Sequence, residues 1–479
     1  MTEPFDGASP ARAWVLDGAA IATVDPAGTE HVSGHLVVTT GRIAAVGSGP
    51  APAASVPDGA RRVDASGCLL TPGLVNTHHH FFQWLTRGMA ADSDLFDWLT
   101  ALYPWWALID DELEHAAALG SLYALAMSGC TTTMDHHYVF PAASGATDLL
   151  GAEIAAAAEV GVRFHPARGS MDLGRSAGGL PPDEVVEDTD AALAATEHAI
   201  ARYHDPTPGS MLRIVVGPCS PFSVTPRLME GAAALARRHG VRLHTHLAET
   251  LKEDEYCRDR LGCTPVEYAE SLGWLGPDVW IAHGVHIGAA TRARLGAAGT
   301  GVAHCPSSNG RLGAGLAPVP ELLDARVPVG LGVDGSASNE SGELGTELRS
   351  ALLTARARCG PNALSTRQVL AMATIEGARC LGRADEIGSL ERGKLADVAL
   401  WRLDGPLHSG VADPVAALTL GSLPPLALLL VGGRAVVEEA RMLTVSPEGV
   451  ARDVESATRR LAARHGLERG APQGAQAHL

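Results

Sequence analysis

The chain has 479 residues, 46% hydrophobic and 19% charged, a globular composition long enough for a large core with an appended module. Its 37 basic and 54 acidic residues give a net charge of −17, a surface that repels phosphate backbones and anionic lipids and argues against nucleic acid or membrane partners. The eight cysteines form no C-x-x-C pair and read as reduced thiols of a cytoplasmic protein. The opening Met-Thr-Glu-Pro-Phe-Asp has no basic or apolar leader, and the longest apolar run, around Leu426–Val431, is too short to span a bilayer.

From Trp14 to about Leu70, short apolar pieces (Val15–Leu16, Leu36–Val38, Ile43–Val46) are separated by turn signals such as Thr40-Gly41 and predict strands. Residues 1–71 are assigned to the first part of a small β-sandwich. The pattern changes over residues 72–390, where short apolar strands recur, each followed by a helical segment such as Ala191–Tyr203 or Leu228–His239. Strands are expected near Leu74–His80, Thr131–His136, Arg163–Arg168, Ile214–Pro218, Val241–Leu247, Trp280–Gly284, Gly301–Cys305 and Pro328–Asp334. Eight such units predict an α/β fold, a (β/α)8 barrel. Strand-like Asp397–Trp401 and Leu428–Val437, the latter turning at Gly432-Gly433, place the rest of the sandwich in residues 391–445. Residues 446–479 read as one amphipathic helix from Pro447 and a polar, disordered tail, Ala471–Leu479.

In a barrel the functional side chains sit at the C-terminal ends of the strands. His78 and His80 close the first expected strand; being two apart they share a face, whereas His79 points the other way. His246 ends the fifth strand, His283 the sixth and Asp334 the eighth, so five ligand-type residues converge on one mouth. Imidazoles plus a carboxylate with an open position suit one divalent ion per subunit, zinc or ferrous iron. His79, His136, His137, His244 and His304 lack equal support as ligands; His136 and His137, which end the second strand, are read as structural, with the pocket wall as their alternative. Glu249 follows His246 by three residues, where a carboxyl can carry protons to and from a substrate.

Pro72-Gly73-Leu74-Val75-Asn76-Thr77-His78-His79-His80, His246-x-x-Glu249, Ala282-His283, Gly332-Val333-Asp334-Gly335 and Gly393-Lys394-Leu395-Ala396-Asp397 resemble the amidohydrolase superfamily, in its branch of purine, pterin and triazine deaminases. The resemblance covers nearly the whole chain. It implies a barrel with a small β-sandwich from both termini and one metal held by His78, His80, His246 and Asp334. It also implies that His283 bonds the attacking water, with Glu249, His283 and Asp334 as the catalytic set.

Within that branch, the run from His78 to Arg87, Phe96-Asp97-Trp98-Leu99, Ala167-Arg168-Gly169-Ser170-Met171 and Gly178–Asp183 resemble the 8-oxoguanine deaminases. The sequence departs from that group at Gly284, where cysteine is usual, and at Ser307 and Gly310; these positions are expected near the mouth, with Gly284 making room for a larger ring.

Eight of the 21 aromatic residues fall between Phe81 and Trp106 and predict a lid over a flat ligand, with two of the eight touching it. Gln83, Arg168 and Trp105 are assigned to substrate binding: an amide suits a purine carbonyl with its adjacent N–H, and a guanidinium can donate to a ring carbonyl. The expected reaction is hydrolytic deamination of a small purine-like substrate, 8-oxoguanine to urate and ammonia. Guanine, isoxanthopterin or a triazine is the alternative within the branch, and a metal-binding barrel without catalysis the alternative outside it. A homo-oligomer is compatible with the sequence.

Overall fold

The computed structural model describes residues 13–141 and 146–466. The N-terminal six residues and the expected tail, 471–479, lie outside the described residues. Among those described, no helix is long and apolar enough to cross a membrane.

Eight parallel strands close into a barrel: Leu74–Asn76, Cys130–His137, Arg163–Ser170, Val215–Pro218, Arg242–Leu247, Val279–His283, Gly301–His304 and Val329–Leu331. Each lies where the apolar runs place it. The first is shorter than expected, because its regular pairing ends at Asn76. The chain then continues extended, and looser hydrogen bonds tie it to both neighbours: His136 N donates to His79 O at 2.8 Å, and Asp334 N to His78 O at 3.0 Å. Freed from the pleat, His78 and His80 still face inward.

The second element is one nine-stranded mixed sheet built from both ends of the chain. Its seam joins Cys68–Pro72 to Val398–Arg402, antiparallel, from Val398 opposite Pro72 to Arg402 opposite Cys68. Alternation along the seam strands divides their side chains between two cores, as a period of two requires. Leu69, Ala399, Trp401, Leu429 and Val431 join the cluster that also fills the barrel–helix layer. Leu70, Val398, Leu400, Leu428 and Leu430 join a separate cluster with Trp14, Leu16, Leu36 and Val38.

Two contacts fix the sheet to the barrel. Buried Arg163, which opens the third barrel strand, donates two hydrogen bonds to Asp397, at 3.1 and 3.0 Å. Trp401 lies so close to Gly129 that a Cβ there would sit 2.2 Å from the indole; Gly129 also has φ +90, a conformation side-chain-bearing residues avoid.

The segment after the first strand forms the lid. A short 3₁₀ stretch, Phe81–Thr86, leads to helix Leu95–Trp106, whose N-terminus is capped by the Asp94 carboxylate accepting from Phe96 N and Asp97 N. Trp98 donates to Ala337 O and Trp106 to Thr86 Oγ1, each at 3.1 Å, so both indoles are anchored while buried. Helix Pro447–Arg464 runs against the lid's outer side, and Trp105 stacks on His465 with ring centroids 3.9 Å apart.

Candidate active site

Three histidines meet at the barrel mouth in one protonation pattern. His246 Nδ1 lies 2.8 Å from Cys219 O and His80 Nδ1 2.7 Å from His136 O, so both donate to carbonyls. His244 Nδ1 donates to Trp280 O at 3.0 Å, which leaves His244 Nε2 as the acceptor for His78 Nδ1 at 2.8 Å. All three Nε2 lone pairs therefore point inward. His80 Nε2 and His246 Nε2 are 3.0 Å apart, and Asp334 Oδ1 lies 3.2 Å from His78 Nε2 and 3.3 Å from His80 Nε2.

Three lone pairs and a carboxylate oxygen facing one another repel unless a cation sits among them. His78, His80, His246 and Asp334 bring their donor atoms within 4.8 Å of one another, and N₃O donors suit zinc or ferrous iron. The residues present fit the metal that the sequence implies. Burial, then the neighbouring histidines, holds His246 well below the usual imidazole range, and burial does the same for His78, which keeps their lone pairs free.

Three more residues surround this set. His283 Nδ1 is 3.0 Å from Asn309 Oδ1, so it donates there and turns Nε2 toward Glu249 Oε2 at 3.7 Å and Asp334 Oδ2 at 3.9 Å. Asp334 Oδ2 accepts from Ser308 Oγ at 2.5 Å. Burial raises the Asp334 carboxyl, but its close polar contacts with His78 and His80 outweigh it and hold the group well below the carboxylate range. Glu249 is the opposite case: burial, reinforced by the charge of Asp334, pushes its carboxyl well above that range. Two carboxyls at one mouth are thus shifted in opposite directions, a pattern that suits an acid and a base.

The backbone here is strained. Ala248, His283 and Asp334 have φ of 55°, 73° and 65°, left-handed values rare outside glycine. Ala248 is held on both sides. Its N–H and that of Glu249 donate to the buried Glu253 carboxyl at 2.9 and 2.8 Å, and its carbonyl accepts from Val285 N and His286 N at 2.8 and 2.9 Å. One peptide thereby links the Glu249 turn to the His283 turn.

Above these groups lies a small, partly enclosed cavity. His80, His246, Glu249, His283 and Asp334 form its floor, and Gln83, Leu95, Trp98, Leu99, Tyr103, Tyr138, Phe222 and Leu312 form much of its wall. Of the eight lid aromatics, two, Trp98 and Tyr103, face it. The Gln83 amide oxygen is buried with no hydrogen-bond donor among the described residues.

The other two expected substrate contacts lie elsewhere. Arg168 turns to the outer side of its strand, pairs with Glu187 and lies over the Phe140 ring; Trp105 stacks on His465; neither lines the cavity. Gly284, Ser307 and Gly310 do not line it either. A Cβ on Gly284 would meet Ile287 and Val302 at 3.0 and 3.2 Å, inside the packed wall, so that glycine adds no room for a larger ring.

The sequence profile described as "Amidohydrolase family" matches residues 69–436. The chain belongs to the amidohydrolase family. It is 46% identical over 425 residues to the 8-oxoguanine deaminase of Pseudomonas aeruginosa, covering 88% of this chain and 93% of that protein. It is 41% identical over 403 residues to an isoxanthopterin deaminase from an unknown prokaryotic organism, covering 79% and 82%. Among solved structures, atrazine chlorohydrolase from Arthrobacter aurescens TC1, complexed with zinc, superposes with a TM-score of 0.87 at 34% identity, covering 93% of this chain and 99% of that one. Sequence reasoning left four contributors unassigned: His244, Asn309 and Ser308, which orient site residues, and Glu253, which holds Glu249. Helical spacing signalled none of these. For His244 the signal was its place two residues before His246, on the same strand face.

Proposed function

We propose that this amidohydrolase is a metal-dependent aminohydrolase that converts 8-oxoguanine and water to urate and ammonia, with His78, His80, His246 and Asp334 holding one catalytic ion, most simply zinc. The observation that carries the reading is the pairing of Glu249, its carboxyl pushed up, with Asp334, its carboxyl held down, across His283, on the floor of a small aromatic-walled cavity. When bound, the metal lowers the pKa of a water from ~15.7 toward ~7.

The remaining steps belong to the side chains. Asp334 accepts a proton from the attacking water, and His283 Nε2, kept as an acceptor by Asn309, orients that water. Glu249 donates its proton to the ring nitrogen beside the amine-bearing carbon. As the C–O bond forms and the C–N bond breaks, the proton taken by Asp334 goes to the departing amine, which leaves as ammonia, and the proton of the new hydroxyl returns to the Glu249 carboxylate as the carbonyl forms. Gln83 supplies an unsatisfied acceptor for a ring N–H, and Trp98, Tyr103 and Tyr138 exclude water around the base.

The substrate follows from the 46% relative and from a wall that Gly284, Ser307 and Gly310 leave unaltered. 8-Oxoguanine differs from guanine in bearing a carbonyl at C8 and an N7–H. A site paired to both groups disfavours guanine by ~1–3 kcal/mol for each partner left unsatisfied, roughly a hundredfold in kcat/KM for the two. Free cysteines throughout the chain support a reducing compartment, the cytosol.

Ammonia release by the zinc-loaded protein across 8-oxoguanine, guanine, isoxanthopterin and hydroxytriazines is the test. The highest kcat/KM is expected with 8-oxoguanine. A higher value with another substrate overturns the substrate assignment, and no release from any, at full metal content, overturns the reaction.

A further inference from the structure

On the outer side of the second barrel strand, away from the cavity, His137 faces two glutamates: Glu114 from helix Asp111–Met127 and Glu153 from helix Leu149–Val160. The three side chains are at most 1% exposed. Three features set this cluster apart from an ordinary buried ion pair.

The first is the imidazole. His137 Nε2 is 2.9 Å from Val139 O and donates to it, and Nδ1 lies 2.8 Å from Glu153 Oε1 and 3.7 Å from Glu114 Oε1, so an ion taking the place of the Nδ1 proton would find Nδ1 facing both carboxyls. This is the arrangement of the catalytic histidines, in which one ring nitrogen donates to a carbonyl and fixes the other as a ligand. The second is the carboxylates. Both oxygens of Glu114, and Oε2 of Glu153, are buried without a hydrogen-bond donor among the described residues, a costly state for charged oxygens. The third is compactness. The three donor atoms lie within 4.8 Å of one another.

We propose that Glu114, His137 and Glu153 form a second metal site, for a divalent first-row ion with N/O preference such as Zn²⁺. With an ion in place of the protons the cluster holds without it, two carboxylates and a neutral imidazole would balance one dication. Asp135, beside them, accepts from Phe81 N at 2.6 Å, and burial with Glu153 raises its carboxyl well above the usual range. An ion here joins two helices to a barrel strand. Through the edge contact of His137 with Phe82, ring centroids 5.2 Å apart, it also braces the start of the lid. The residues are separate from the catalytic set, so the ion's role is structural.

The experiment counts and locates zinc. The full-length protein is stripped with a chelator, reloaded with Zn²⁺ and desalted; zinc per chain is measured by plasma mass spectrometry, and crystals are mapped by anomalous scattering at the zinc edge. Two equivalents are expected, with one peak at His78–His80–His246–Asp334 and another between Glu114, His137 and Glu153. Glu153→Gln is expected to lose the second equivalent and keep the first, and His246→Ala the reverse. A single equivalent with its peak only at the catalytic quartet overturns the proposal and assigns the cluster to a proton shared between the glutamates. Two equivalents retained in Glu153→Gln overturn it as well. If that variant does not fold, the anomalous map of the unaltered protein decides.

Discussion

Replacing Glu253 with glutamine tests whether the Glu249 turn is held from outside the reacting groups. The carboxyl accepts from two backbone N–H groups, those of Ala248 and Glu249, at 2.9 and 2.8 Å. Glutamine keeps one acceptor and turns an NH₂ toward the other N–H, leaving a buried donor unpaired at a cost of ~1–3 kcal/mol. That cost falls on a residue already strained, with Ala248 at φ 55°. If it is spent in releasing Glu249 from its working position, kcat falls ~5- to 150-fold. His246 is positioned by Cys219 O and not by Glu253, so metal content and KM are expected to stay near their unaltered values.

A second readout separates positioning from charge. Burial raises the Glu253 carboxyl from its ordinary 4.5 to about 7. A carboxyl raised in the folded state favours folding below its unfolded pKa and loses that contribution as pH rises through the folded value, ~3 kcal/mol in all. Unfolding free energy between pH 4.5 and 7.5 is therefore expected to fall more steeply in the unaltered protein than in Glu253→Gln. The assays are steady-state ammonia release, metal analysis and denaturant melts across that range. An unchanged kcat together with an unchanged pH slope would refute the reasoning.

Glu249→Gln keeps shape but has no transferable proton, so kcat is expected to fall ~10²–10⁴-fold at constant metal content; an unchanged kcat makes Glu249 a bystander. His246→Ala or Asp334→Ala should each lose the catalytic ion and turnover, as read by metal analysis and ammonia release, and full occupancy with a normal rate contradicts the ligand set. Gln83→Leu removes the unsatisfied acceptor, so kcat/KM for 8-oxoguanine is expected to drop ~5- to 150-fold, from ~1–3 kcal/mol, while melting temperature and metal content hold. No drop places Gln83 outside the substrate site.

Barrel and sheet were legible because apolar patterning reports burial: apolar strands alternating with helices in the middle, and short apolar runs broken by turn signals at both ends. His78, His80, His246, His283 and Asp334 were legible because strand ends in a barrel converge whatever the loops do. Arg168 shows where the same reasoning stopped short. It pairs in register with His137, on the outward face, while Ala167 pairs with His136, whose ring stacks on His246. Applied to the third strand as it was to His79, alternation turns Arg168 away from the cavity. Asn309, Ser308 and Glu253 were not legible, since each acts through a loop or helix start whose approach depends on tertiary packing. The left-handed backbone at Ala248, His283 and Asp334 has no sequence signature at non-glycine residues.

The seam of the terminal sheet also has a bearing on synthesis. Trp401 bonds Thr71 across 330 residues of chain. At ~5–20 residues per second a ribosome takes roughly a quarter of a minute to just over a minute to cover that distance. For that interval Cys68–Pro72, apolar and buried in the finished protein, has one edge without its partner strand. An unpaired apolar edge is a template for association with other chains. The nascent protein is thus most exposed to aggregation after its N-terminal strands have emerged and before Val398–Arg402 has been made, and a chain terminated within the barrel would retain that open edge permanently.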